Sequence, residues 1–371
     1  MKVLYIIDTL EGYGAEKSLV EIAVNLTNIE PVFVQVYKGD MLRSKLEDKG
    51  IKVYLLNLNA KYGFREAVKK LIPIYLHENP AIVHATLFRS EIVARSLKRK
   101  FPQICLVGSF VSNTYSKARF LDKNFLYKAK LYYFHLLNKR SVKRVDYFIS
   151  NSQTIKERNA NALEIPLEKI KVIYRGRDIK QFQLELDQNS ANKKPRKLLN
   201  VSRLIPLKGQ MDLLKSIALI KGELPDIKLR FAGHGSYLHT LKREVIKLSL
   251  QDNVEFLGRV DDIPGVLNEA DLFVYPSYSE GLPGALIEAM MAGKIIIASN
   301  IPENLECVND HSALIFEKGN IEELASQIKE VLLKWSDFQF LGRNARFQAI
   351  ERFEIKNIVD QYQNAYDSFL K

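Results

Sequence analysis

Short apolar runs that do not alternate with polar residues constrain this chain more than any other feature. In the first half they fall at 3–7, 32–36, 53–56, 82–84, 104–108, 147–150 and 170–173. In the second half they fall at 198–201, 228–232, 254–257, 272–275, 295–298 and 313–315. A strand with one wet face alternates apolar and polar side chains; a run without that alternation needs cover on both faces. Helical spacing fills the gaps. Leu19, Ile22, Ala23 and Leu26 lie on one face of a helix over 17–26, and Leu324, Ile328, Val331 and Leu332 on one face over 321–333. Repeated strand–helix units of this kind predict a parallel, doubly wound sheet.

The pattern restarts once. Between its two halves stand Asp187, Gln188, Asn189, Ser190, Asn192, Lys193, Lys194 and Pro195, a linker composition. We therefore expect an α/β fold of two Rossmann-like domains facing a cleft. The first spans 1–185, the linker 186–197 and the second 198–354, while a terminal helix at 355–371 packs back on the first domain. A chain of 371 residues is long enough for both cores. Ligands of such sheets bind beyond the carboxyl ends of the strands, so the loops after strands are where chemistry is expected.

The richest of these loops follows the run at 272–275. It carries Glu280, Gly281, Leu282, Pro283 and Gly284, and a helix begins near Gly284 with Glu288 in its early part. The glycines let a ligand approach the backbone closely, and the unpaired N–H groups of a helix start suit a diphosphate. Carboxylates nearby can accept bonds from ribose or hexose hydroxyls. The plainer reading is a strand–loop–helix with one surface and one capping glutamate. A second loop, after 198–201, presents Arg203 and Lys208 just before Gly209. Two cations there can neutralise a diphosphate and the charge that builds on it as it leaves, or they are an ordinary solvated basic loop. A third loop, after the first strand, contains Gly12 and Gly14, but Lys17 stands where the last glycine of a dinucleotide fingerprint would fall, which disfavours hydride chemistry.

Taken together, these residues resemble a retaining glycosyltransferase of the family-four type, the glycosyl transferases of group 1, with a GT-B fold. Glu280 to Pro283 and Glu288 to Met290 resemble that family's two-glutamate motif. Arg203, Lys208 and Gly209 resemble its diphosphate pair, Gly14 to Glu16 its first glycine loop, and Tyr174 to Asp178 its interdomain turn. The resemblance implies that Glu288 holds the donor ribose, and that Glu280 and the backbone of Gly281 to Gly284 contact the sugar and phosphates. It places Gly233, beside His234, near the nucleotide and Val260 near the base. Retention of configuration without a metal is implied as well. Two positions depart from the pattern. Tyr13 replaces the first glycine of a pair, and 109–114 lacks the histidine that many members carry near the acceptor. His84 is a candidate replacement, alongside its plainer role as a packed residue.

Net charge bears on the partners. Thirteen Lys or Arg and two Asp between Arg95 and Asp146 hold +11 of the chain's +12. Aromatic and apolar residues interleave with them, among them Phe120, Phe125, Leu126, Tyr132 and Tyr133. We expect this stretch to lie on an anionic membrane surface and reach a glycan or lipid-linked acceptor. No nucleic-acid motif accompanies the charge. The apolar start, interrupted by Asp8, reads as a strand, and no run reaches the length of a membrane span, so a cytoplasmic enzyme, peripheral on the inner face of the membrane, is expected. Asp261 and Asp262 read as a turn and helix cap, and Cys105 and Cys307 as packed thiols. A nucleotide sugar is then the co-substrate, with no cofactor and no metal. The competing readings are a sugar-nucleotide epimerase on the same plan and a non-catalytic scaffold that keeps the fold.

Overall fold

The computed structural model describes residues 1–59, 63–112, 125–182 and 194–371. Most of the expected linker lies outside them. The chain divides into two units, Met1–Gly176 with Ile355–Lys371, and Arg177–Glu354.

Among the described residues of the first unit, seven parallel strands form one sheet. They are β1 (Lys2–Ile7), β2 (Glu30–Tyr37), β3 (Lys52–Leu58), β4 (Ile82–Thr86), β5 (Cys105–Phe110), β6 (Tyr147–Ser150) and β7 (Ile170–Val172), in the order β3-β2-β1-β4-β5-β6-β7. The lack of polar alternation has a direct cause. Leu4 and Ile6 of β1 enter one buried cluster with Val32, Val34, Val83 and Ala85. Val3, Tyr5 and Ile7 enter another, on the opposite face, with Phe33, Ile82 and Val107. Side chains alternate across a strand, so each apolar run serves two covered faces. The helices are α1 (Gly14–Asn25), α2 (Arg43–Glu47), α3 (Phe64–Glu78), α4 (Phe88–Lys100), α5 (Phe125–Ser141) and α6 (Gln153–Leu163). The first begins three residues before the expected start at Lys17. Glu16, buried in its first turn, accepts the backbone N–H groups of Gly12 (2.7 Å) and Tyr13 (3.0 Å) and so satisfies donors at the helix entrance.

The second unit repeats the plan with β8 (Lys197–Val201), β9 (Lys228–Ala232), β10 (Val254–Gly258), β11 (Leu272–Tyr275), β12 (Ile295–Ser299) and β13 (Leu314–Phe316), in the order β10-β9-β8-β11-β12-β13. Its helices are α7 (Gln210–Ile220), α8 (Leu238–Lys247), α9 (Ile263–Glu269), α10 (Gly284–Met291), α11 (Pro302–Leu305), α12 (Ile321–Leu333) and α13 (Trp335–Phe353). Asp262 caps α9 by accepting the Gly265 N–H at 3.0 Å. The last helix, α14 (Ile355–Phe369), belongs to the first unit, where Ile358, Tyr362 and Tyr366 join the cluster under β1 and α1. Both cysteines are free thiols.

Strand order reverses between β1 and β4 in one sheet and between β8 and β11 in the other. At such a switch point the loops leaving the two strands turn to opposite faces and open a crevice beyond their carboxyl ends.

Candidate functional site

The loops after β8 and β11 carry Arg203, Lys208 and Glu280, so these residues flank the second unit's switch point. Glycine makes their approach possible. Gly209 sits at φ +69°, and a Cβ there would lie 1.9 Å from the carbonyl oxygen of Pro276. At Gly233 (φ +149°) a Cβ would lie equally close to the carbonyl of Ser202. Only glycine combines these conformations with this closeness. The loops after β8, β9 and β11 therefore stack backbone on backbone, joined by Leu204 N–H to His234 O (3.0 Å) and Tyr278 N–H to Leu207 O (2.9 Å). Gln210 fixes the first of them by donating to Ser202 Oγ and the carbonyl of Arg203.

At the centre of this stack the Lys208 ammonium meets Glu280 Oε1 at 2.5 Å, and both side chains are about nine-tenths buried. Lys208 also donates to the carbonyl of Ser279 (3.2 Å), while the buried Tyr275 hydroxyl donates to Glu280 Oε1 at 2.7 Å. Burial alone would raise the Glu280 carboxyl. The Lys208 charge and the bonds from Lys208 and Tyr275 outweigh it and hold the group below its ordinary value. Burial and the adjacent carboxylate push the Tyr275 phenol well up, so it stays a donor. Arg203, by contrast, is exposed at the loop surface.

Beyond Glu280, Gly281 is half-buried, Leu282 is buried, and Pro283 precedes α10. No side chain caps that helix, which leaves the N–H groups of its first turn, beginning at Gly284, for solvent or an anion. Glu288 lies one turn into α10, and its Oε1 accepts Arg177 Nε at 2.7 Å. Gly233 is half-buried with His234 exposed beside it, and Val260 is half-buried after β10.

In the first unit the loop after β1 carries Gly12 (φ +88°), and Gly14 opens α1. A Cβ on Gly14 would stand 3.2 Å from a guanidinium nitrogen of Arg175. His84 is fully buried in β4. Its Nδ1 pairs with Tyr366 Oη at 2.6 Å and its Nε2 with Ser109 Oγ at 2.7 Å, and burial pushes its pKa down to about 3. Ser109 in turn bonds Thr86 (2.9 Å), and Tyr366 bonds Tyr5 (3.0 Å). Thr86, Ser109, Asn151 and Arg175 line a cavity of about 30 Å³, room for a water-sized group. His84 thus reaches that cavity only through Ser109.

The basic stretch divides. Arg95 is fully buried, paired with Glu91 and Asn138, and Lys98 pairs with Asp146. The start of α5 is the reverse: Phe125 and Leu126 are 82% and 78% exposed, and Lys128, Lys130, Tyr132 and Tyr133 are exposed beside them. Phe120 and Lys123 lie outside the described residues, as do Asn113 and Thr114. Among the described residues no helix is long and apolar enough to cross a membrane, and no group of three or more His, Cys, Asp or Glu could hold a metal ion.

Sequence reasoning put Arg177 in the interdomain turn and Tyr275 at the end of a strand, and gave neither a partner. Tyr275 meets Glu280 five positions on, through the turn of the loop after β11, whereas Arg177 meets Glu288 across 111 residues, and no spacing rule reaches that far.

Two Rossmann-like parallel-sheet units, one with a lysine–glutamate pair and a glycine-rich helix entrance at its switch point, define a protein of the GT-B fold. The chain belongs to the family-four, group 1 glycosyltransferases: residues 14–181 match the family described as Glycosyltransferase Family 4, and residues 181–348 match Glycosyl transferases group 1. It is 27% identical over 374 residues to the capsular polysaccharide biosynthesis glycosyltransferase CapH of Staphylococcus aureus, covering 96% of this chain and 98% of that protein. CapM of the same organism is 27% identical over 201 residues, 52% of this chain and about half (53%) of CapM. Among solved structures, Anabaena HepE in complex with UDP and glucose superimposes with a TM-score of 0.84 at 23% identity, over 99% of this chain and 100% of that one. At that identity the likeness is one of fold.

Proposed function

We propose that this enzyme is a retaining glycosyltransferase that moves a sugar from a UDP- or GDP-sugar to a polysaccharide or lipid-linked acceptor in cell-surface glycan biosynthesis. The observation that carries the reading is the buried Lys208–Glu280 pair, held by Tyr275 at the switch point beside the uncapped start of α10. Lys208, Arg203 and the α10 N–H groups supply positive charge where a diphosphate departs, and Glu280 accepts from a sugar hydroxyl. The acceptor hydroxyl attacks from the face that the leaving group vacates. A bond forms between its oxygen and the anomeric carbon, the bond to the phosphate oxygen breaks, and the proton passes to the departing phosphate. Positioning and charge stabilisation do most of the catalysis, with no metal needed. Gly12, Gly14 and the His84–Ser109 pair serve the acceptor side. The capsular relatives and the UDP complex of HepE support the donor and acceptor classes. The exposed aromatics and lysines of α5 support peripheral attachment to the inner, anionic face of the membrane, with the protein in the cytoplasm.

The test is release of free nucleoside diphosphate from a panel of UDP- and GDP-sugars on adding a lipid-linked or oligosaccharide acceptor, with and without EDTA. The anomeric configuration of the product is read by NMR. Release that survives EDTA, with retained configuration, is the expected result. An inverted product overturns the retaining mechanism. Activity abolished by EDTA and restored by magnesium overturns metal independence. No release from any donor–acceptor pair leaves the non-catalytic scaffold.

A further inference from the structure

We infer that Arg177 is a positioning residue for the nucleotide: it orients Glu288 so that one carboxylate oxygen is presented to the ribose hydroxyls. The inference rests on the reading of Glu288 as the ribose-binding carboxylate and assigns a partner to it. Arg177 Nε donates to Glu288 Oε1 at 2.7 Å, with 13% and 18% of the two side chains exposed. Glu288 Oε2 makes no bond among the described residues. A carboxylate has about four lone-pair sites, so one oxygen fixed by a guanidinium leaves the other to accept a vicinal pair of hydroxyls.

Arg177 is itself well anchored. Its backbone N–H donates to the carbonyl of Phe353 at 2.8 Å, and it forms an isolated parallel bridge with Glu354. Arg177 begins the second unit and Glu354 ends it, so the guanidinium projects from a point where two distant segments are pinned together. Glu288 sits on a helix of eight residues with no cap of its own. A glutamate there has three side-chain torsions to lose on meeting a ribose. The pair with Arg177 removes that freedom before the nucleotide arrives.

The inference separates two effects that a contact alone would not. If Arg177 only stabilised the fold, its loss would weaken all nucleotides alike. If it orients Glu288, its loss is felt only by a ligand with hydroxyls for Glu288 to hold. The experiment is calorimetric binding of UDP and GDP to the full chain, and of the 2′,3′-dideoxy form of whichever binds. The proteins are wild type, Arg177→Gln, Arg177→Lys and Glu288→Gln. The main-chain anchors do not depend on the side chain, and the thermal midpoint of each variant is recorded beside its affinity.

Loss of a charge-assisted bond predicts that Arg177→Gln weakens the ribonucleotide about tenfold while changing the dideoxy form less than about twofold. The ribo-to-dideoxy preference should collapse as it does in Glu288→Gln, and Arg177→Lys should restore part of it. Equal weakening of both nucleotides by Arg177→Gln overturns the inference in favour of a structural role. A preference lost in Glu288→Gln but kept in Arg177→Gln overturns it while the ribose reading stands. A preference that neither substitution moves overturns both.

Discussion

Replacing Lys208 with Met should damage the fold and the chemistry together, and replacing Glu280 as well should repair only the fold. Removing one partner of a buried ion pair costs about 3–5 kcal/mol, because the other charge stays buried without compensation. Side-chain exposures of 10% and 9% leave a little solvent, and Tyr275 still donates to Glu280, so the low end, about 3 kcal/mol, applies here. For a unit spanning Arg177–Glu354, that lowers the unfolding midpoint by roughly 6–12 °C. Lys208→Met with Glu280→Gln leaves no buried charge and should recover most of that loss; because Glu280→Gln alone strands Lys208 at a similar cost, the double-mutant cycle should show a coupling of about 3 kcal/mol or more. Turnover should not recover: every member of the cycle but wild type loses about 100-fold or more in nucleoside diphosphate release.

The pH dependence carries a sign that tests the same pair. In the wild type Glu280 is held below its ordinary 4.5, so its stabilising contribution is complete above that value and lost as the pH falls through the folded one. In Lys208→Met burial dominates and lifts the carboxyl, which then favours the folded state at low pH. The stability gap between the two proteins should narrow as the pH falls from 7 to 4. Thermal melts across that range, beside turnover assays at neutral pH, decide the matter. Near-normal turnover in Lys208→Met, or a double mutant no more stable than the two single effects summed, would refute the reasoning.

Arg203→Ala, at an exposed site, should cut turnover about 100-fold without moving the melting midpoint; a large thermal shift would mean that the residue serves the fold. His84 stays neutral in the folded chain down to about pH 3, while the unfolded chain takes up a proton below about 6.5. Stability should therefore fall between pH 6.5 and 5 by up to about 1.4 kcal/mol per unit from this residue, and His84→Gln should flatten that slope; equal slopes in urea melts would count against the buried-histidine account. Replacing Lys128, Lys130 and Arg140 with Gln should weaken binding to vesicles containing phosphatidylglycerol roughly 100-fold at low salt, at about 1 kcal/mol per cation. A wild-type protein that ignores such vesicles would remove the membrane reading.

The fold was largely legible because both sheets are covered on both faces. The strand expected at 228–232 has those bounds in the structure, although Lys228 and Arg230 break its apolar run. Ends were less legible. The first helix starts at Gly14 and not at Lys17, since its opening turn is built by Glu16 bonding back to Gly12 and Tyr13, a local polar device that apolar periodicity cannot register. Charge was misleading in a different way. Arg95 and Lys128 contribute equally to a count, yet Arg95 is buried between Glu91 and Asn138 whereas Lys128 is exposed.

That contrast bears on how much of the site a sequence can yield. The partner of Arg95 stands four positions back on the same helix, where a pattern can find it. The partner of Lys208 lies 72 positions ahead, on a loop that closes over it only because Gly209 admits the carbonyl of Pro276. Lys208 and Glu280 were nevertheless both singled out, because each follows a strand and the doubly wound topology brings the ends of β8 and β11 together. Topology does not supply the partner of Glu288. Arg177 follows no strand end at the switch point; it is held by main-chain bonds to Phe353 and Glu354, at the far end of the same unit. Residues that meet the substrate follow from where strands end. Those that aim them follow from where the chain is pinned, and that information appears only once the backbone is closed.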